Sequence, residues 1–252
     1  SSEIIVASKT AVTTKLGQSL AEPTDVVVEG LGLQSAASGM GEGPAAPPER
    51  VVPGKPIDRT WQVEDHLLQT VTRPYFYRTG IEQPVYQVRE ASLRNAPETP
   101  PALVANATVK YQGVVLELRS IVHSGPQPAC IVPPLAVFLM RRNETAHTSV
   151  LPNDHKSLTV SLLKFPISQP TKSETVIAPA GWHSSIAISD TTAPGEAMFQ
   201  IAAPASGRTT ITIQGHAELP SGAVSEEGYR SVGYPGLVRT NYYTPATLRI
   251  VP

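Results

Sequence analysis

Short runs of alternating apolar and polar residues fill the chain from about Pro84 onward, punctuated by Pro and Gly. Alternation with a period of two puts each set of side chains on its own face of a strand. In 113–123, Val114, Leu116, Leu118 and Ser120 face one way, and Val115, Glu117, Arg119 and Ile121 the other. In 157–165, Leu158, Val160 and Leu162 alternate with Thr159, Ser161 and Leu163. The run 135–141 is nearly all apolar, which suits a strand covered on both faces. Stretches 85–93, 103–109, 183–189, 197–203 and 209–219 bring the total to about eight strands, separated by links of very uneven length. Long crossovers among short ones predict a jelly roll rather than an up-and-down barrel. No repeat of 20–50 residues is visible in the sequence, which argues against a propeller or solenoid.

Two regions break this pattern. Residues 61–80 carry the best helical signal: Val63, Leu67 and Thr70 fall near one face with Leu68 adjacent, and Pro74 stops the run. Residues 1–60 are rich in Ala, Gly, Pro and Ser and show little amphipathic period. Such a segment buries too little apolar surface to order itself and is expected to fold against a neighbour. Its Val26-Val27-Val28 run is a candidate strand for a partner's sheet edge. The expected organisation is an extended N-terminal arm at 1–60, a shell domain at 61–220 and a C-terminal extension at 221–252.

Composition narrows the function classes. The 25 Pro and 18 Gly residues disfavour long helices, and the one cysteine, Cys130, excludes an internal disulfide framework. Charged residues make up only 16% and the net charge is −1, so a grip on nucleic acid through basic charge alone is not expected. No run of 18 apolar residues occurs, so no membrane span is expected. The opening Ser-Ser-Glu-Ile-Ile-Val lacks the basic flank and long apolar core of a signal peptide, and the missing Met suggests processing, either cleavage from a larger precursor or loss of a leader.

Catalytic signals are weak. The six histidines show neither His-Glu-x-x-His spacing nor a cysteine partner. Ser184 and Ser185 follow His183, but no Gly-x-Ser-x-Gly elbow exists and neighbours on a strand point to opposite faces. The apolar flanks of Cys130 predict a buried thiol. No carboxylate pair stands out for glycoside chemistry. Asn106-Ala-Thr108 and Asn143-Glu-Thr145 match the glycosylation pattern, one of short length and low specificity. The expectation is a protein that is not an enzyme and takes no cofactor or metal.

Three blocks carry a family resemblance. YQGVVLELRSIVHSGPQPACIVPPLAVFLMRRNETAHTSVL from Tyr111, LLKFPISQP from Leu162 and AMFQIAAPASGRTTITIQGHAEL from Ala197 are similar to strand-and-Pro-loop segments of tymovirus coat proteins. Leu67-Leu68 followed by Arg73-Pro74 resembles the segment before the first strand of picorna-like capsid domains. The chain departs from the tymovirus pattern in its longer leading segment and in the tail after 220. The resemblance implies an all-β fold: an eight-stranded antiparallel jelly-roll sandwich with an extended arm and short helices. It also implies a capsid subunit that assembles with copies of itself, and with sister capsid proteins, around single-stranded viral RNA. The virion would form in the host cytoplasm. RNA charge would then be balanced partly by small cations or polyamines.

On this reading Val26, Val27, Val28, Tyr75, Phe76, Tyr242 and Tyr243 are candidate subunit contacts, and Arg141, Arg142, His155 and Lys156 are candidate RNA contacts. The competing expectation is a secreted or surface β-sandwich binding module of lectin or adhesin type.

Overall fold

The computed structural model describes residues 3–5, 10–19, 25–35, 41–42, 47–63, 65–68, 70–78, 83–141, 148–150, 157–187, 193–204, 209–233 and 238–251. The regular structure of these residues is β, apart from two short 3-10 turns at Asp65–Leu68 and Ala91–Leu93. The all-β expectation therefore holds. The chain divides into two compact units, Ser1–Val132 with Gly233–Thr240, and Pro133–Val232 with Asn241–Pro252.

The first unit is built from β1 (Glu3–Ile5), β2 (Thr10–Leu16), β3 (Val26–Ser35), β4 (Ile57–Val63), β5 (Leu103–Tyr111), β6 (Val114–Ile121) and β7 (Cys130–Val132). β2 pairs antiparallel with β4, from Thr10 opposite Val63 to Leu16 opposite Ile57. A second antiparallel sheet runs β6-β5-β3, and short strands Gly41–Glu42 and Glu49–Arg50 pair with the far side of β3. β1 lies parallel to β7. Gln112 and Gly113 join β5 to β6 with positive φ at both residues, 49° and 85°. That is the backbone of a type I′ hairpin, whose twist matches the flanking strands.

Alternation along each strand decides what enters the core. Val12 and Thr14 of β2, Ile57 and Val63 of β4, Leu33 of β3, and Leu103, Ala107 and Val109 of β5 are buried. Leu67 and Leu68 from the 3-10 turn close one end of this core.

The second unit contains β8 (Ala136–Arg141), β9 (Thr148–Val150), β10 (Ser157–Phe165), β11 (Ser173–Ile177), β12 (His183–Ile186), β13 (Glu196–Ala202), β14 (Ile211–Glu218) and β15 (Thr247–Val251). One sheet has the order β8-β10-β13-β12 and the other β9-β15-β14-β11. All pairs are antiparallel except β9 with β15, which is parallel. This is the strand order of an immunoglobulin-type sandwich, with A-B-E-D facing C-F-G. Val137, Leu139, Leu158, Val160, Leu162, Phe199 and Ile201 from one sheet meet Ile211, Ile213, Leu248 and Ile250 from the other in a single buried cluster, with Trp182 at its margin. Gly215 of β14 lies against Leu162 Cδ1, so a side chain added there would force that leucine to shift within the core.

Four expectations are corrected here. The described residues of 1–60 are not an arm waiting for a neighbour: β2, β3 and β4 supply buried side chains to the first unit's own core. Residues 221–252 are not an extension, because Leu248 and Ile250 are wholly buried in the second unit. The 61–80 helix shrinks to one 3-10 turn, since the positions around Trp61 already belong to β4. The eight-stranded jelly roll gives way to two units, and the second follows the immunoglobulin order. Uneven link lengths are shared by both topologies, so they could not separate them.

Candidate functional site

The two units repeat one pairing plan. In the first, β2 pairs β4 while β3, β5 and β6 form the facing sheet. In the second, β10 pairs β13 while β11, β14 and β15 form the facing sheet. The short parallel pairs are placed differently: β9 joins β15 within the facing sheet, whereas β1 joins β7 outside the β6-β5-β3 sheet. The units differ at both edges of the smaller sheet: β12 pairs with the other side of β13, whereas no strand among the described residues pairs with the other side of β4. In the second unit, β8 pairs with the other side of β10. In the first, no strand among the described residues pairs with the other side of β2.

A groove of about 660 Å³ lies along that open edge. One wall is β2 from Thr10 to Leu16, and the other is the end of β6 with the residues that follow, Leu118 to Ser124. The floor comes from β3 and β5, where Leu31, Ala105 and Ala107 line it. Two alanines at these positions leave depth that larger side chains would fill.

Beyond the groove the inward row of β6 stays uncovered. Leu116 lies opposite Val109, and Leu118 opposite Ala107, so both share the core-facing side of the sheet. Yet Val114, Leu116 and Leu118 are 58%, 40% and 42% exposed. Such a row on an edge strand is unusual, because apolar edge strands invite pairing with other chains.

The β2 wall is held firmly. The Trp61 indole N–H donates to the Thr14 hydroxyl at 3.1 Å, and the Thr13 and Thr60 hydroxyls lie 3.2 Å apart across the pair. Lys15 and Arg119, both exposed, are on the lining, and no carboxylate is among its described residues. His123 also lines it, its ring Nδ1 lying 2.9 Å from the Ile121 carbonyl.

A second feature is the aromatic and arginine cluster between 75 and 89. Phe76 meets Tyr75 and Tyr86 edge to face at 5.1 and 5.2 Å. The Arg78 guanidinium stacks over Tyr86 at 4.7 Å, and Arg89 over Tyr77 at 4.8 Å. Tyr75 Oη donates to the Ala96 carbonyl and Arg89 Nε to the Pro74 carbonyl, at 2.8 and 2.9 Å. These donors are spent on neighbouring loops, so the cluster acts as an internal brace.

The structure scatters the residues singled out in the sequence. Val26, Val27 and Val28 lie in β3, between β5 and Glu49–Arg50, with Val26 and Val28 buried. They are interior to their own sheet and cannot serve as an edge for a partner, which corrects that assignment. Tyr75 and Phe76 belong to the brace. Tyr243 is half-buried and packs on Tyr229 with ring centroids 5.8 Å apart, while Tyr242 is 42% exposed. Arg141 ends β8 and is half-buried; Arg142, His155 and Lys156 lie outside the described residues. Cys130 is half-buried in β7.

Chemistry does not converge elsewhere among the described residues. No three His, Cys, Asp or Glu side chains gather as metal ligands. No helix is long and apolar enough to cross a membrane. The Asn106 amide, the first of the two glycosylation matches, donates to Gln34 Oε1 at 2.9 Å. Sequence reading missed the groove because its outer wall, TAVTTKL, lay in a segment judged by composition. Its Val12 and Thr14 alternation was the signal that could have found it.

Comparison with known proteins adds little. No family model matches the chain, and no curated protein matches it. Among solved structures it is similar to the crystal structure of the S-layer protein SbsC domains 4 and 5, at 12% identity. That alignment covers 89% of this chain and 99% of the other, with a TM-score of 0.21, too low to carry any argument.

Proposed function

We propose that the chain is a non-catalytic structural module: two β-sandwich units in tandem that work by offering sheet edges and faces to other polypeptides. The observation that carries this reading is the first unit's uncovered edge, with Leu116 and Leu118 on the core side of β6 yet open to solvent. An enzyme would need convergent acid, base or nucleophile groups. His183, Ser184 and Ser185 instead lie exposed along an outer strand, β12.

The closed-shell reading depended on a leading arm that neighbours must order. With Thr10–Leu16, Val26–Ser35 and Ile57–Val63 paired inside the first unit, the described residues of 1–60 supply no such arm, and the low basic charge gives RNA little to hold. Sedimentation and negative-stain electron microscopy of the purified chain, alone and with single-stranded RNA, test the proposal. The expected result is small discrete species, with any RNA association lost at moderate salt. Closed round particles would overturn it and restore a capsid role.

A further inference from the structure

The second unit shows what completes the plan. There β8 lies antiparallel along β10 and drives Val137 and Leu139 into the core, both essentially fully buried. The corresponding position in the first unit is the groove beside β2. Its depth, its length along Thr10–Leu16 and its small-residue floor match the needs of one added strand. A strand there would lie along the side of β2 that no described strand pairs, with an apolar floor beneath alternate side chains.

We propose that this groove is a strand-accepting slot, and that its occupant is an extended polypeptide segment from outside the 252 residues. That segment would carry alternating Val- or Leu-like residues, with acidic residues flanking them. The inference rests on the structural-module reading and specifies how its contact is made. The apolar alternation follows from Leu31, Ala105, Ala107 and Leu118 along the floor and wall. The acidic flanks follow from the exposed Lys15 and Arg119 on the groove's lining. A flat ligand such as a sugar would not use the backbone groups of β2, which the proposed strand pairs throughout.

The test uses the full chain and a synthetic fluorescent peptide in which valine and leucine alternate with threonine between glutamate ends. Saturable binding by anisotropy is expected, with new backbone amide protection confined to Thr10–Leu16 and its groove neighbours. Lys15→Glu combined with Arg119→Glu alters only exposed side chains and should weaken binding about tenfold. Ala105→Leu fills the floor and should abolish binding while circular dichroism stays unchanged. Joining the same strand ahead of Ser1, through a link the length of 142–147, should raise the melting temperature of wild type but not of Ala105→Leu.

Three results would overturn the assignment. The folded wild type could fail to bind the peptide, or Ala105→Leu could bind it undiminished. The chain could also sediment as a dimer that Ala105→Leu dissociates, which would make the occupant a second copy. Failure of peptide binding would leave the structural-module reading standing. Closed particles would sink that reading whatever the peptide does.

Discussion

Core-facing leucines on corresponding strands have opposite fates in the two units. Leu248 lies on β15, the strand that follows the β11–β14 pair in the second unit, and it is wholly buried. Leu116 lies on β6, its counterpart beside β5 in the first unit, and it is 40% exposed. Both face the core side of their sheets. The difference is coverage: the second unit sets four strands, β8-β10-β13-β12, against its facing sheet, whereas the described first unit sets two, β2 and β4. Apolar side chains contribute to stability only in proportion to the area taken from water. The repeated plan therefore yields a closed core in one unit and an open edge in the other.

The comparison predicts unequal responses to equal substitutions. Leu248→Ala should destabilise the second unit by about 2–5 kcal/mol, the range for a buried leucine that leaves a cavity. Leu116→Ala should change the first unit's stability by less than about 0.5 kcal/mol, as for an exposed position. Guanidinium unfolding of each variant measures both. Similar losses at the two sites would mean that β6 is covered after all.

Close packing in the second unit gives an intermediate effect. Gly228 is buried where an added Cβ would meet the Phe138 ring, so Gly228→Ala should cost about 1–3 kcal/mol through overpacking. Adding Phe138→Leu should recover part of that loss, because neighbouring sites are not additive. A neutral Gly228→Ala in thermal unfolding would show that this core is looser than described.

The smallest effect is electrostatic. The Lys172 ammonium, 2.7 Å from Glu218 Oε1, and then the Ser173 hydroxyl hold the Glu218 carboxyl below its ordinary value. A carboxylate with a lowered folded value stabilises the protein above its unfolded value, and the gain fades as pH falls through the folded one. Melting temperatures of wild type and Glu218→Gln should therefore differ slightly at neutral pH and converge in acid. Divergence on acidification would contradict the pairing.

Legibility in the sequence followed burial on two faces. The runs at 135–141 and 157–165 coincide closely with β8 and β10, because both strands are rich in buried apolar residues. The alternation at 113–123 located β6, though not that its inward leucines stay exposed, since exposure depends on what the opposite sheet covers. β2 and β4 escaped notice. In TAVTTKL and IDRTWQV the inward residues are few, and Thr14 is buried through its hydrogen bond with Trp61 rather than through apolarity. The twofold plan was likewise hidden, because strand pairing repeats here without any visible repeat in residue identity. Of the candidate site, Leu118 and Arg119 were visible as strand residues. Their meaning depended on β2, which composition had assigned to an arm.

Residue-resolved amide hydrogen exchange along β2 and β10 tests the open edge most directly. From Val160 to Leu163, β10 lies between β8 and β13, so both sets of its alternate amides there have strand partners. β2 pairs only with β4 among the described residues, so protected and fast-exchanging amides should alternate from Thr10 to Leu16. Continuous protection along Val160–Leu163 with alternating protection along Thr10–Leu16 is the predicted result. Continuous protection along both strands would contradict it.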